Sequence, residues 1–184
     1  MGEVVSGRIS VTRFLTCGLV YRAFNTMDSK PFQQGRAADA ISSVELTVVV
    51  PTFNERDNIS PLLDRLEVAL GSLSWEAIFV DDDSPDGTAD LLREIAQRRP
   101  EVRVIHRIGR RGLSSACVEG VLSSSAPYFA VIDADMQHDE AILPQMLETL
   151  KEHGLDIVVG SRYVDGGGVS EGWDKRRQSL RISA

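Results

Sequence analysis

Two carboxylates one residue apart, Asp133-Ala134-Asp135, end the apolar run Tyr128-Phe129-Ala130-Val131-Ile132. A second acidic cluster, Asp81-Asp82-Asp83, follows a similar run, Ala77-Ile78-Phe79-Val80. Runs like these read as buried strands, and an open α/β sheet binds ligands at the carboxyl ends of its strands. Carboxylates gathered at that edge repel one another unless a cation stands between them. Magnesium or manganese bridging a diphosphate suits such oxygen donors. Asp135 and Gln137 lie two apart, so both side chains can face one ion, which would stabilise charge developing on a diphosphate leaving group. His138 could be a further ligand, but a lone histidine is more often a structural hydrogen-bonder, and that reading is preferred. The plainer alternative is that these aspartates only form turns and helix caps.

Three more loops carry chemistry. Pro51-Thr52-Phe53-Asn54-Glu55-Arg56 offers an aromatic plane and hydrogen-bond acceptors, the two requirements of a nucleobase pocket. Asp81-Asp82-Asp83-Ser84-Pro85-Asp86-Gly87-Thr88 is a turn by composition, and one of its acids could accept from a ribose or base. Arg162, after Gly160-Ser161, has a planar fork suited to a phosphate or carboxylate. Gly166-Gly167-Gly168 then allows close backbone approach or a moving lid.

These loops need strands and helices to hold them. The domain is expected to begin at the β-branched run Leu46-Thr47-Val48-Val49-Val50, stopped by Pro51. Further strands are predicted at Ala77–Val80, Val102–Ile105, Tyr128–Ile132 and Ile157–Val159. Between them lie helical patterns. In the first, Ser60 can cap, Pro61 occupies the first turn, and Ile59, Leu62, Leu63, Leu66 and Ala69 or Leu70 form one stripe before Gly71. Others start at Thr88 or Asp90, run from about Leu113 to Leu122, and span Ala141–His153 with Gly154 as a stop. Strands alternating with helices predict a doubly wound, mostly parallel α/β sheet. Residues 1–43 lack sustained periodicity and read as a poorly ordered N-terminal extension; residues 44–184 read as one domain.

Composition narrows the partners. The chain has 184 residues, is 42% hydrophobic, and carries a net charge of −7, which suits one domain with a real core. Residues 1–43 contribute +2, residues 44–171 contribute −12 and residues 172–184 contribute +3. An acidic middle argues against nucleic acid, whose phosphates need Lys and Arg. The basic end, Lys175-Arg176-Arg177 with Arg181, could meet a phosphate or an anionic membrane surface. Cys17 and Cys117 are too far apart for a metal-binding or disulfide framework. No apolar run reaches a membrane span or a secretory core, so the expected location is cytoplasmic.

Taken together, Pro51-Thr52-Phe53-Asn54-Glu55, Val80-Asp81-Asp82, Ser84-Pro85-Asp86-Gly87-Thr88, Asp133-Ala134-Asp135-Met136-Gln137-His138 and Gly160-Ser161-Arg162-Tyr163 resemble the dolichol-phosphate mannosyltransferases. These are a branch of the family 2 inverting glycosyltransferases with the GT-A nucleotide-sugar fold. The resemblance covers about residues 46–184, and Gly166–Val169, Gly172-Trp173 and Lys175-Arg176-Arg177 point to that branch. It implies transfer of mannose from GDP-mannose to a polyprenyl (dolichyl-type) phosphate, with Mg2+ or Mn2+. By the family's pattern, Pro51, Phe53, Glu55, Val80 and Asp82 would hold the nucleotide. Phe53 stands where many members have Tyr, which keeps stacking and loses a hydroxyl. Asp133, Ala134 and Asp135 would contact ribose and diphosphate, with Asp135 and Gln137 on the metal. Arg162 would bind the donor diphosphate or the incoming phosphate, and Arg176 and Arg177 would lie near the lipid phosphate.

A lipid phosphate is already ionised at neutral pH and needs no general base, so the expected reaction is one displacement with inversion at the sugar carbon. Family members continue past the Lys-Arg-Arg run, so the chain is expected to be incomplete at its C-terminus, with peripheral membrane contact at the cytoplasmic face in the full-length protein. Two nearby readings are a UDP-glucose-type polyprenyl-phosphate transferase and a nucleotide-sugar-binding remnant without turnover. A third, an aspartyl-phosphate hydrolase, usually needs Thr two positions past the second Asp, where this chain has Gln137.

Overall fold

The computed structural model describes residues 19–22 and 44–160. Six strands form one sheet: β1 (Leu19–Arg22), β2 (Leu46–Thr52), β3 (Trp75–Asp81), β4 (Val102–His106), β5 (Tyr128–Val131) and β6 (Ile157–Val159), in the order β4-β3-β2-β5-β1-β6. The β2–β3, β3–β4 and β2–β5 pairs are parallel, while β1 runs antiparallel to both β5 and β6. Four α-helices intervene: α1 (Arg56–Leu70), α2 (Thr88–Ala96), α3 (Leu113–Leu122) and α4 (Leu143–Glu152), the last preceded by a 3-10 turn at Glu140–Ile142.

Alternation along the strands divides the core into two layers. Leu46, Val48, Val50, Ala77 and Phe79 face the apolar stripes of α1, α2 and α4, including Ile59, Leu62, Leu66, Leu92, Leu147 and Leu150. Val49, Ile78 and Val80 face the other way, onto Ala116 of α3. Helices on both faces are what a doubly wound sheet requires. Helix α3 lies very close to the sheet because Gly120 has no side chain: a Cβ there would stand 2.4 Å from Val49 Cγ1 and 3.1 Å from Val80 Cγ2. Gly120→Ala is therefore expected to lower stability by about 1–3 kcal/mol through overpacking, read as a drop in thermal unfolding midpoint.

Two expectations are corrected. Residues 1–43 are not wholly an extension, because Leu19–Arg22 is an interior strand of the sheet. Val20 is fully buried, and the Tyr21 ring stacks on Phe129 at 5.1 Å between centroids. Helix α1 begins at Arg56 rather than Ser60, which leaves Pro61 one turn inside it. Its opening N–H groups are satisfied from the next loop: Glu55 N donates to Thr88 Oγ1 (3.2 Å) and Arg56 N to Asp86 Oδ2 (3.2 Å). Those partners let the helix start early, although Pro61 removes a backbone donor.

Candidate functional site

The loops leaving β2, β3, β4 and β5 meet at the carboxyl edge. Three non-glycine residues there have a left-handed backbone, one after each of three neighbouring strands: Asn54 (φ 59°), Asp83 (φ 59°) and Met136 (φ 61°). Strain of this kind persists only where surrounding structure over-determines it, and it gathers at functional sites.

Most of the acids in the β3–α2 loop are consumed by their own chain. Asp81 is buried and accepts from Ser84 N (3.0 Å), Ser84 Oγ (2.6 Å) and Thr52 Oγ1 (3.3 Å). Asp86 accepts from Thr88 N and Thr88 Oγ1 as well as from Arg56 N. Asp83 accepts from Gly109 N (3.2 Å) and from His106 Nε2 (3.0 Å). Arg93 can only donate, so the 2.6 Å contact from its Nη2 makes His106 Nδ1 the acceptor and leaves Nε2–H to point at Asp83. Asp82 accepts from Gly112 N at 2.6 Å on one oxygen, and its other oxygen lies 3.0 Å from Arg107 Nη1 as an ion pair without a hydrogen bond. Both partners of this ion pair are buried.

Three carboxylates are left facing the edge: Glu55, Asp133 and Asp135. Among the described residues no lysine or arginine pairs with Asp133 or Asp135. Asp135 Oδ1 accepts from the backbone N–H of Gln137 at 3.1 Å, and that turn sets the carboxylate's direction. Their mutual repulsion registers on Glu55. Burial pushes its carboxyl above the usual range, Asp135 and Asp133 push it further, and a hydrogen bond from Asn58 Nδ2 (2.6 Å) opposes them. Asp83 shows the opposite balance: the Gly109 N–H, then His106, hold its carboxyl below the ordinary value. Burial raises Asp86, but donors from Thr88 and Arg56 outweigh it and the net shift is down.

The sign for folding follows. Carboxyls with lowered folded-state pKa bind protons more readily when unfolded, so their stabilisation is present above the unfolded value near 4 and is lost as pH falls through the folded value. Unfolding midpoints are expected to decline below about pH 4. Asp83→Asn should flatten part of that decline.

The residues singled out from sequence divide as follows. Phe53 is 39% exposed at the rim, and Pro51, one residue before the end of β2, pairs with Val80 of β3. The Val80 side chain is core, and Ala134 is buried between the two aspartates of the pair. Gln137 is exposed beside Asp135. His138 Nε2 is buried 3.5 Å from Asp133 Oδ2 without a hydrogen bond among the described residues. Arg162, Arg176, Arg177 and the glycine triplet lie outside the described residues. Sequence reasoning missed three residues of the β4–α3 region: His106, Arg107 and Arg111. Arg111 places its guanidinium carbon 4.2 Å over the centre of the Phe53 ring. A run of basic residues just past a predicted strand was the available signal.

Among the described residues, no three His, Cys, Asp or Glu side chains are grouped to hold a metal by themselves. The donor set nevertheless fits a hard cation. Magnesium-type ions are commonly held by one or two carboxylates, with water and phosphate oxygens completing the shell. Asp135 and Gln137 offer carboxylate and amide oxygens of that kind, and Asp133 and Glu55 have no lysine or arginine partner among the described residues.

A mainly parallel sheet with a carboxylate-lined carboxyl edge, an exposed aromatic and strained loop junctions defines an α/β protein whose candidate site lies at its strand ends, where open α/β sheets bind ligands. The chain belongs to glycosyl transferase family 2, whose sequence model matches residues 47–183. With that membership, the α/β architecture is the GT-A fold expected from the sequence. It is 44% identical over 141 residues to the dolichol-phosphate mannosyltransferase of Pyrococcus furiosus, a match covering 77% of this chain and 39% of the relative. It is 35% identical over 145 residues to the Saccharomyces cerevisiae protein of the same name, covering 77% of this chain and 54% of that one. The chain thus spans between two fifths and just over half the length of these relatives. A solved mannosyltransferase from Pyrobaculum calidifontis, in complex with GDP-Man and Mn2+, is 28% identical over 58% of this chain and 31% of its own, with a TM-score of 0.42.

Proposed function

We propose that this chain carries the nucleotide-sugar half of a polyprenyl-phosphate mannosyltransferase, which moves mannose from GDP-mannose to a polyprenyl phosphate. One observation carries the reading: Glu55, Asp133 and Asp135 lie close enough to act on one another at the carboxyl edge, none paired with a lysine or arginine among the described residues, on the edge that also carries the exposed ring of Phe53. Both curated relatives named above carry the corresponding name, and the Pyrobaculum protein was solved with GDP-Man and Mn2+.

In this reading Phe53 stacks the base, and the backbone of the β2–α1 loop is held open by Ser84 and Thr88. Asp133 meets the ribose, while Asp135 and Gln137 would hold Mg2+ or Mn2+. When bound, that ion neutralises charge on the departing diphosphate. The acceptor phosphate is ionised without help. Its oxygen forms the new bond to the anomeric carbon as the bond from that carbon to the diphosphate oxygen breaks, and GDP leaves with the electron pair. The product sugar is inverted. Arg162 is assigned to the donor diphosphate or incoming phosphate, and Arg176 and Arg177 to the lipid phosphate. The basic run that contains them supports placing the protein against the cytoplasmic face of a membrane. Among the described residues no helix is long and apolar enough to cross one.

The test is calorimetric titration of the 184-residue chain with GDP-mannose and UDP-glucose, each with and without Mn2+. Mn2+-dependent binding of GDP-mannose supports the reading. Preference for UDP-glucose would reassign the donor, and binding without transfer to a polyprenyl phosphate would identify a nucleotide-sugar-binding remnant.

A further inference from the structure

Arg111 is unusual among the site's cations because it is exposed, makes no ion pair within 4 Å among the described residues, and rests on an aromatic ring instead. Its backbone is held firmly on either side. Arg110 gives its N–H to the Arg107 carbonyl at 3.1 Å, and Gly112 (φ 140°) gives its N–H to Asp82 while its carbonyl accepts from Arg107 Nη1 at 3.2 Å. The side chain therefore reaches from the β4–α3 loop, past β3, to Phe53 at the end of β2. Aromatic planes stack with centroids about 4.5–7 Å apart. At 4.2 Å the guanidinium occupies the place on Phe53 that a base would take.

We propose that Arg111 is the movable second wall of a nucleobase slot. It lifts from Phe53 to admit the base, then stacks on the base's outer face, so that the base lies between ring and guanidinium. Arginine stacks on flat π-systems as well as pairing with anions, and a base offers a larger plane than a phenyl ring. Asp83, whose carboxyl Arg111 already acts on, keeps the cation over the slot once it has lifted. The residue so defined sets affinity for the base; the reacting carbon is not its target.

This inference rests on the nucleotide-sugar reading above, and its test separates the two. Wild type, Arg111→Ala and Arg111→Lys are titrated, with Mn2+, against GDP, UDP and inorganic pyrophosphate. The expected result is a loss of roughly five- to tenfold in Arg111→Ala for the nucleotide that wild type binds. Pyrophosphate binding should change less than twofold, and lysine should restore only part of the loss, because it keeps the charge but not the plane. Equal or tighter nucleotide binding by Arg111→Ala overturns the proposal, as does an equal loss for pyrophosphate or full rescue by lysine. A wild-type chain that binds neither GDP nor UDP overturns the nucleotide-sugar reading itself.

Discussion

Asp135→Ala is expected to abolish the Mn2+ dependence of nucleotide-sugar binding and to cut any transfer activity by about 10²–10³-fold, the scale of losing one preorganised electrostatic partner of a developing charge. Among the described residues no lysine or arginine pairs with the carboxylate, which accepts from the Gln137 backbone N–H at 3.1 Å. Its negative charge is thus available for a ligand. Asp135→Asn separates charge from shape, since an amide oxygen still accepts from Gln137 N and keeps the turn. Both variants should unfold within a few degrees of wild type, because Asp135 is only partly buried. Calorimetry with and without Mn2+ gives the first readout and thermal unfolding the second. Full metal-dependent binding in Asp135→Asn would remove Asp135 from the metal site.

The second large effect is on stability. Arg107→Leu should cost about 3–5 kcal/mol, because it strands the buried Asp82 carboxylate without its counter-charge. The same guanidinium also donates to Ser115 Oγ at 2.6 Å and to the Gly112 carbonyl. Its loss therefore frees the first turn of α3 as well as the acid. Asp82→Asn with Arg107→Leu should recover much of the loss, since removing both charges of a buried pair is often near neutral. Denaturant midpoints across this cycle decide it, and additive single-mutant losses would mean that the pair is not coupled. Because Gly112 adjoins Arg111, the double variant is also expected to bind nucleotide more weakly than its restored stability alone suggests.

Much of the architecture was legible in the residues themselves. Five of the six strands were predicted within about two residues of their observed bounds, and α3 was placed at Leu113–Leu122. Buried parallel strands are continuous β-branched runs, and the turns between them are rich in Asp, Gly and Pro, so pattern and structure agree. The first strand was not legible. Leu19–Arg22 is four residues long, weakly patterned, and acquires its meaning from β5 and β6, more than a hundred positions away. The start of α1 was likewise set by Thr88 and Asp86, thirty residues downstream.

The same division runs through the site. Sequence by itself determined the family, the sheet with its helices, and the clustering of acids at the strand ends, because these depend on local pattern and on short motifs of fixed spacing. Only the tertiary structure decided which acids are spent and which remain. Asp81, Asp82, Asp83 and Asp86 look equivalent to Asp133 and Asp135 along the chain, yet each of the first four takes at least one donor from another loop or strand, whereas among the described residues neither of the last two pairs with a lysine or arginine. Hydrogen-bond satisfaction is a property of neighbours in space, and here those neighbours come from loops that the chain order keeps apart.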